Sequence, residues 1–151
     1  MDQNPRISAM NLLARREHSR AELQQKLLQR DYHLDDINAV LDTLTKEGLQ
    51  SEERFAESYT RSRFNRGFGP LLIHAELRVR GINEDLIKEI LTNPKINWQK
   101  LAAEIHKKKF GMAKPENIYE RAKQTNFLKY KGFRSEEIKF ALGKDFDECL
   151  T

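Results

Sequence analysis

The segment Leu71 to Leu91, with the sequence LLIHAELRVRGINEDLIKEIL, occurs in two further versions along the chain. Ala21 to Leu41 and Ala122 to Leu142 align with it without a gap, at offsets of 50 and 51 residues. Self-similarity at a fixed period of this length is typical of a repeat protein, and it decides the fold before any other pattern. The chain therefore contains three copies of one unit.

Equivalent positions in the three segments share their chemistry. A basic residue precedes a glycine or an aspartate at the middle of each segment, in the pairs Arg30-Asp31, Arg80-Gly81 and Lys131-Gly132. Such pairs are typical of a helix end, because the chain turns left-handed there and cations suit the C-terminal dipole. Four further positions are apolar in every copy: Leu27, Leu77 and Leu128; Tyr32, Ile82 and Phe133; Ile37, Ile87 and Ile138; Leu41, Leu91 and Leu142.

Helix start signals surround these turns. Asn83 before Glu84 and Asp85, Ser135 before Glu136 and Glu137, and Asp35 with Asp36 place oxygen acceptors or negative charge at the start of the helix that follows each turn, where backbone N–H groups lack partners. Ahead of the first segment, Ser19 and Glu22 form a capping-box pattern. Each segment therefore predicts a helix, a tight turn and a second helix, and Gly48 closes the first copy.

One further amphipathic helix precedes each segment, over residues 7–17, 52–66 and 98–109. Pro70 and Pro115 each stand where the next helix is expected to begin. The sequence thus predicts an all-α fold of three tandem three-helix repeats over 1–50, 51–96 and 97–143, with a C-terminal tail over 144–151. Small units of this kind gain stability from their neighbours, so we expect an elongated, curved helical array, either right- or left-handed.

Composition limits the class of protein. The 151 residues are 38% hydrophobic and 33% charged, which is polar for a compact globule but too rich in Leu, Ile and Phe for a disordered chain. The net charge of +4 rises along the chain, from −1 over residues 1–50 (7 basic, 8 acidic) to +2 over 51–100 (9 and 7) and +3 over 101–151 (11 and 8). A single cysteine, Cys149, and the lack of a secretory or membrane-spanning segment predict a cytoplasmic protein.

No motif predicts catalysis or metal binding. The four histidines fall singly, without a His-Glu-x-x-His pair. The loop Gly67-Phe68-Gly69-Pro70 lacks the Gly-Lys-Ser/Thr of a phosphate-binding loop and is interpreted as a turn between helices. Paired carboxylates such as Asp35-Asp36 begin helices, where the dipole accounts for them. We therefore expect a protein that is not an enzyme and that needs neither a cofactor nor a metal.

The candidate interaction surface is basic. Five arginines between Arg61 and Arg80 stand against one acid, Glu76, and the stretch Lys107 to Lys114 has four lysines and no acid. Both stretches predict an anionic partner. The alternative is that these cations are simply solvated or balance helix C-termini, as Arg66 and Lys109 would.

Helical geometry divides these residues between faces. Arg61 and Arg63 point roughly 160° apart and do not form one stripe. On the next helix, His74 and Arg78 are expected to pair at i and i+4 on an outer face. Its opposite face is predicted to be core and consists of Leu71, Ala75 and Val79.

Aromatic residues of the helix over 52–66 also divide between two sides. Phe55, Ala56 and Tyr59 are expected in the core. Phe64 falls on the other side, where it is either an anchor for a partner or packs against the next repeat.

The middle of the chain contains a motif made of Glu53-Arg54-Phe55-Ala56-Glu57, Arg61-x-Arg63, Arg66-Gly67-x-Gly69-Pro70 and Glu76-Leu77-x-x-x-Gly81-Ile82. This motif resembles the central signature of the RecX family, modulators of the RecA recombinase. The first repeat is similar to the family in Leu13-x-Arg15-Arg16-Glu17-His18-Ser19-x-x-Glu22-Leu23, and the third in Phe127-Leu128-x-x-Lys131-Gly132-Phe133. Asp31 departs from the glycine of the other two turns.

The resemblance implies a monomeric, non-enzymatic regulator in DNA repair, homologous recombination and the SOS response. It would lodge in the groove of a RecA filament on single-stranded DNA and restrain the ATPase, strand-exchange and coprotease activities. Two alternatives remain: a helical module that binds nucleic acid directly, and an adaptor with a purely protein partner. The candidate contact residues are Arg15, Arg16, Arg61, Arg63, Arg66, His74, Arg78, Lys107, Lys108 and Lys131.

Overall fold

The computed structural model describes residues 4–143, and it contains no strand over that range. The predicted all-helical fold of three three-helix repeats is confirmed there. The predicted tail, with Cys149, lies outside the described residues. Nine helices follow one another in the described part of the chain: α1 (Pro5–Arg15), α2 (Arg20–Gln29), α3 (Leu34–Lys46), α4 (Glu52–Asn65), α5 (Pro70–Val79), α6 (Glu84–Leu91), α7 (Trp98–Phe110), α8 (Ile118–Tyr130) and α9 (Ser135–Leu142).

The chain forms two compact units. Unit 1 takes in the described residues up to Tyr59 together with Leu77–Ile90, and unit 2 takes in Thr60–Glu76 and the described residues from Leu91 onward. Residues of α4 and α5 therefore contribute to both units. No helix within residues 4–143 is long and apolar enough to cross a membrane.

The three central turns have the same backbone geometry. Asp31, Gly81 and Gly132 have φ angles of 67°, 81° and 98°. In each turn, the N–H group of the next residue donates to the carbonyl five residues back: Tyr32 to Leu27 at 3.3 Å, Ile82 to Leu77 at 3.1 Å and Phe133 to Leu128 at 3.1 Å. Two of the apolar positions shared by the repeats therefore supply the N–H group and the carbonyl of one helix-ending hydrogen bond. Asp31 adopts it because a short polar side chain tolerates the left-handed region.

The capping predictions are confirmed at α2 and at α6, where the Asn83 side chain accepts from the Asp85 N–H at 2.7 Å. They are wrong at α9, whose N-cap is Arg134 rather than Ser135, and at α8. Ser19 and Glu22 close α2 reciprocally, since each backbone N–H donates to the other side chain at 3.1 Å. Pro115 does not begin a helix: α8 begins at Ile118, and the Asn117 side chain accepts from the Glu120 N–H at 2.9 Å. Asn117 supplies an acceptor for a free N–H group, which a proline side chain lacks.

The buried side of α5 is not the predicted one. Leu71 and Val79 are 55% and 82% exposed, and Ala75 is also exposed, whereas Ile73 and Leu77 are fully buried. Both stripes are apolar at helical spacing, so periodicity alone does not choose between them. Tertiary packing decides between them and buries the stripe through Ile73 and Leu77.

The core of unit 1 consists mainly of aliphatic residues from the first repeat. In α4, Phe55 and Ala56 are buried as predicted, and Tyr59 is half-buried. The cluster is formed by Ala9, Leu12, Leu23, Leu27, Ile37, Leu41 and Leu44.

In unit 2, Phe64 packs against the first helix of the third repeat. Its ring meets that of Trp98 edge-on, with centroids 5.6 Å apart. The Trp98 indole N–H donates to the Leu91 carbonyl at 2.9 Å, which fixes the indole in place. Of the two alternatives for Phe64, packing against the next repeat is therefore confirmed.

Candidate functional site

Arg63 links α4 to α5 within unit 2. Its Nε and Nη2 each donate to a Glu76 carboxylate oxygen at 2.9 Å, and its guanidinium carbon lies 4.0 Å from the centre of the Phe68 ring. A two-pronged ion pair of this kind fixes both side chains and neutralises most of the charge of the arginine. Arg63 therefore has a role in packing that does not depend on any partner.

A second cation, Lys131, also lies over the Phe68 ring. The Lys131 ammonium lies 4.6 Å from the centre of the Phe68 ring and 5.9 Å from that of Phe127, and Lys109 lies 5.6 Å from Phe127. Cations over aromatic faces are held by the ring quadrupole and keep their charge. Lys131 is thus positioned with its charge available to an anion.

Two backbone hydrogen bonds join the Phe68 loop to the third turn. The Gly69 N–H donates to the Lys131 carbonyl at 2.8 Å, and the Leu71 N–H donates to the Gly132 carbonyl at 2.9 Å. A Cβ on Gly69 would lie 2.6 Å from the Gly132 backbone, and one on Gly132 would lie 2.5 Å from the Leu72 Cβ. The glycines of this loop therefore serve close approach between repeats, as expected of a turn rather than a phosphate site.

Unit 1 contains the equivalent junction. A Cβ on Gly81 would lie 2.8 Å from the Ala21 Cβ, so the second turn packs against the start of α2 as the third packs against the start of α5. Arg80 lies over the Tyr59 ring at 4.6 Å and approaches Glu22 at 4.0 Å.

The two arginines at the end of α1 differ in their surroundings. Arg16 donates to both carboxylate oxygens of Glu22, at 3.1 and 3.0 Å, and to the Glu17 carbonyl at 2.7 Å. Arg15 is the last residue of α1 and is exposed. Of this pair, Arg15 has the freer side chain.

Other predicted contact residues are exposed cations. Arg61 is exposed in α4 and Arg66 directly after it, and Lys107 and Lys108 are exposed in the last turn of α7. Cations in the last turn of a helix also stabilise its dipole. These four side chains remain predicted contacts and are accessible to an anionic surface.

His74 and Arg78 do not lie opposite a core face as predicted, because the face of Leu71, Ala75 and Val79 is exposed. His74 is half-buried, while Arg78 is exposed and pairs with Glu84 at 3.0 Å. The reason is the rotation of α5, which buries Ile73 and Leu77 and leaves Leu71, Ala75 and Val79 in solvent.

A buried histidine in unit 1 has no counterpart among the sequence predictions. His18 is 2% exposed, its Nδ1 lies 3.0 Å from the Arg16 carbonyl, and its Nε2 lies 2.9 Å from the Lys26 ammonium. Burial lowers the pKa of His18, and the charges of Arg16 and Lys26 lower it further, against the opposing effects of the Arg16 carbonyl and Glu22. A neutral ring fits these contacts, with Nδ1–H donating and Nε2 accepting.

Acidification is expected to destabilise the protein through His18. Its pKa is lower in the folded state than its ordinary value of 6.5, so the unfolded chain takes up the proton first as the pH falls. The stability that the neutral His18 ring contributes is complete above pH 6.5, and it is lost as the pH falls through the pKa of His18 in the folded state. Urea unfolding between about pH 7.5 and about pH 5.5 should show a smaller loss for His18→Gln, whose amide has a donor and an acceptor but does not titrate in this range. An equal loss in the variant would contradict this.

Three family models match the chain in sequence order. They are described as the first, second and third three-helix domains of RecX, and they match residues 6–44, 51–91 and 98–142. The chain belongs to the RecX family. These matched segments correspond to α1–α3, α4–α6 and α7–α9.

Relatives in the RecX family are similar along nearly their whole length. The Regulatory protein RecX of Chromohalobacter salexigens is 43% identical over 138 residues, which cover 91% of this chain and 90% of the relative. That of Pseudomonas fluorescens is 44% identical over 144 residues, covering 95% and 93%. Both relatives are named as regulatory proteins, and neither name describes an enzyme.

Solved structures of RecX proteins share the fold. The crystal structure of RecX from Lactobacillus salivarius aligns with a TM-score of 0.74 over 89% of both chains, at 24% sequence identity. A second crystal structure, of a regulatory protein RecX, aligns with a TM-score of 0.73 over 91% of this chain and 77% of the other. At this identity the likeness extends to the fold alone.

Proposed function

We propose that this RecX-family chain binds the RecA filament on single-stranded DNA and restrains its ATPase, strand-exchange and coprotease activities. Its role would lie in DNA repair, recombination and the SOS response. Membership of the RecX family across all three repeats carries the proposal, because the relatives that share this organisation are named regulatory proteins. The chain would act in the cytoplasm as a monomer, and without catalysis of its own.

A repeat protein suits a polymeric partner. Successive repeats offer several contact points at regular intervals, and several weak contacts together give tight binding without one strong site. In unit 2, Leu71 and Ala75 add exposed apolar surface to the exposed cations, and exposed apolar patches are a mark of protein contact sites. These features favour a protein partner that carries an anionic surface or bound nucleic acid.

Sedimentation tests filament binding directly. RecA assembled on long single-stranded DNA with a slowly hydrolysed nucleotide pellets on centrifugation, and this chain should pellet with it and saturate. The same chain with DNA alone is the reference for direct binding. Failure to pellet with filaments at micromolar protein would contradict the proposal.

Reversing two exposed charges at the end of α4, that of Arg61 within the helix and that of Arg66 directly after it, should weaken that binding. We expect Arg61→Glu with Arg66→Glu to raise the apparent Kd about tenfold, because exposed charges set long-range attraction to an anionic surface. Arg63 is left unchanged because its pair with Glu76 supports the fold. The measurement is the sedimentation isotherm, with circular dichroism as the check on folding.

A matched charge reversal in the first repeat serves as the control. Arg30→Glu with Lys46→Glu changes the net charge equally and also affects exposed residues near helix ends. The proposal requires the α4 variant to lose more affinity than this one. Equal losses would mean that net charge alone acts.

The same assay separates the two alternatives. A plain nucleic-acid module would bind naked DNA as tightly as the filament, with a steep dependence on salt. An adaptor with a purely protein partner would bind the filament and tolerate the α4 charge reversal.

A further inference from the structure

The outer face of α8 carries two aromatic side chains that are largely exposed to solvent. Tyr119 and Tyr130 are 87% and 82% exposed, near the two ends of the helix. Lys123 and Asn126 lie between them and are also exposed. At roughly 100° per residue, these four side chains fall within about 60° of one another and form a single stripe. We call it the α8 stripe.

The charge around the α8 stripe is positive. Lys129 is exposed beside it, and no acidic residue of α8 is exposed, since Glu120 is half-buried on another side of the helix. At the flank, Lys109 and Lys131 gather around Phe127, at 5.6 and 5.9 Å from its ring centre. The nearest exposed acid along the chain is Glu116, which precedes the helix.

The stripe is particular to the third repeat. With the repeat alignment extended three residues back, Tyr119 corresponds to His18, which is buried, and to Phe68, which is half-buried under Arg63 and Lys131. Tyr130 corresponds to Gln29 and Val79. Only the third copy therefore has an exposed aromatic residue at both positions, and it is also the most basic copy.

We propose that the α8 stripe binds single-stranded nucleic acid. Bases would stack on Tyr119 and Tyr130, and phosphates would contact Lys123 and Lys129. Exposed aromatic rings spaced along a positively charged track are the common means of holding single strands, because every base has a face that can stack. The faces of duplex bases are covered by their neighbours, so a duplex does not offer the same contact.

The composition of the stripe favours nucleic acid over a protein partner. Lysine is depleted at the centre of protein interfaces, whereas Lys123 lies between these rings and Lys129 lies beside them. Asn126 lies between the rings, where its amide can donate to and accept from base edges. The rings are eleven residues apart, about 16 Å along the helix, which is the span of a few nucleotides. This contact needs no recombinase and does not rest on the proposed function.

Fluorescence anisotropy with a labelled oligothymidylate of about 20 nucleotides tests the stripe. The unchanged chain should bind at low salt. Tyr119→Leu with Tyr130→Leu should weaken binding about tenfold, since leucine keeps an apolar side chain and removes the stacking face. The corresponding Tyr→Phe pair should retain the affinity. Both substitutions lie in exposed positions, so circular dichroism should be unchanged.

Salt dependence tests the phosphate contacts. Lys123→Gln with Lys129→Gln should reduce the slope of log affinity against log salt by about 1.4, at about 0.7 per lost contact with a single strand. Lys46→Gln with Lys100→Gln, at exposed lysines of α3 and α7, is the matched control and should leave the slope nearly unchanged.

Three results would overturn the proposal: no binding of the oligonucleotide by the unchanged chain, equal affinity of the Tyr→Leu and Tyr→Phe variants, or equal slopes for the two lysine pairs. Loss of filament sedimentation in the Tyr→Leu variant, with unchanged oligonucleotide binding, would assign the stripe to a protein partner. Because no RecA is present in the anisotropy assay, its outcome is independent of whether the chain regulates a filament.

Discussion

Replacing Gly132 with alanine is expected to lower the free energy of unfolding by about 3 kcal/mol. Two causes add together. The residue has a φ of 98°, which strains any side chain. A Cβ there would also lie 2.5 Å from the Leu72 Cβ and 2.8 Å from the Leu72 backbone nitrogen, so the docked turn has to move. Urea unfolding followed by circular dichroism measures the loss.

Two other glycines separate these causes. Gly111 has a φ of 76° and open space around it, so Gly111→Ala tests strain alone and should cost about 1 kcal/mol. Gly69 has no positive φ, and a Cβ there would lie 2.6 Å from the Gly132 backbone, so Gly69→Ala tests crowding alone. If Gly132→Ala is no less stable than Gly111→Ala, the crowding against Leu72 has no cost. The turn at Gly132 and the start of α5 could then move apart without loss of stability.

Glu76→Gln is expected to lower the free energy of unfolding by about 2 kcal/mol. The substitution keeps the shape of the side chain and removes the charge that holds Arg63. The side chains of Arg63 and Glu76 are only 20% and 23% exposed, so water replaces the lost interaction poorly. The guanidinium over Phe68 is then left without its carboxylate.

Glu47→Gln is the matched control for a more exposed pair. Arg6 and Glu47 lie 2.7 Å apart, but their side chains are 35% and 42% exposed. Pairs of this kind contribute little, so the expected loss is below about 1 kcal/mol. If Glu76→Gln costs no more than Glu47→Gln in urea unfolding, Arg63 is not a packing residue and is better regarded as part of the contact surface.

The repeat and its turns were predictable because they depend on local chemistry. The turn at Gly81 requires a residue that accepts a positive φ, and its neighbours Leu77 and Ile82 are joined by the helix-ending hydrogen bond. These requirements recur in every copy and so appear as aligned positions. The capping box of Ser19 and Glu22 spans three residues and is equally local.

The buried face of α5 was not predictable in the same way. Its sequence offers two apolar stripes, and only the tertiary packing chooses the one through Ile73 and Leu77. The start of α8 was mispredicted because the proline signal at Pro115 competes with the capping side chain of Asn117, which prevails. The sequence contains both start signals, and the path of the chain in the structure determines which of them begins the helix.

The partners of charged residues could not be predicted from the sequence either. Arg63 and Glu76 are thirteen residues apart, and several other cations surround Glu76 in the sequence. The choice of Arg63 follows from how α4 and α5 meet at the Phe68 loop. The burial of His18 was equally hidden, because a lone histidine gives no indication of which side chains will cover it.

The most direct test of the central claim is the rate of ATP hydrolysis by RecA filaments on single-stranded DNA as this chain is added. The account predicts a progressive fall in the rate that saturates at micromolar concentration, with Arg61→Glu and Arg66→Glu together shifting the curve to about tenfold higher concentration. A rate unchanged at saturating protein, with filaments intact, would contradict the account.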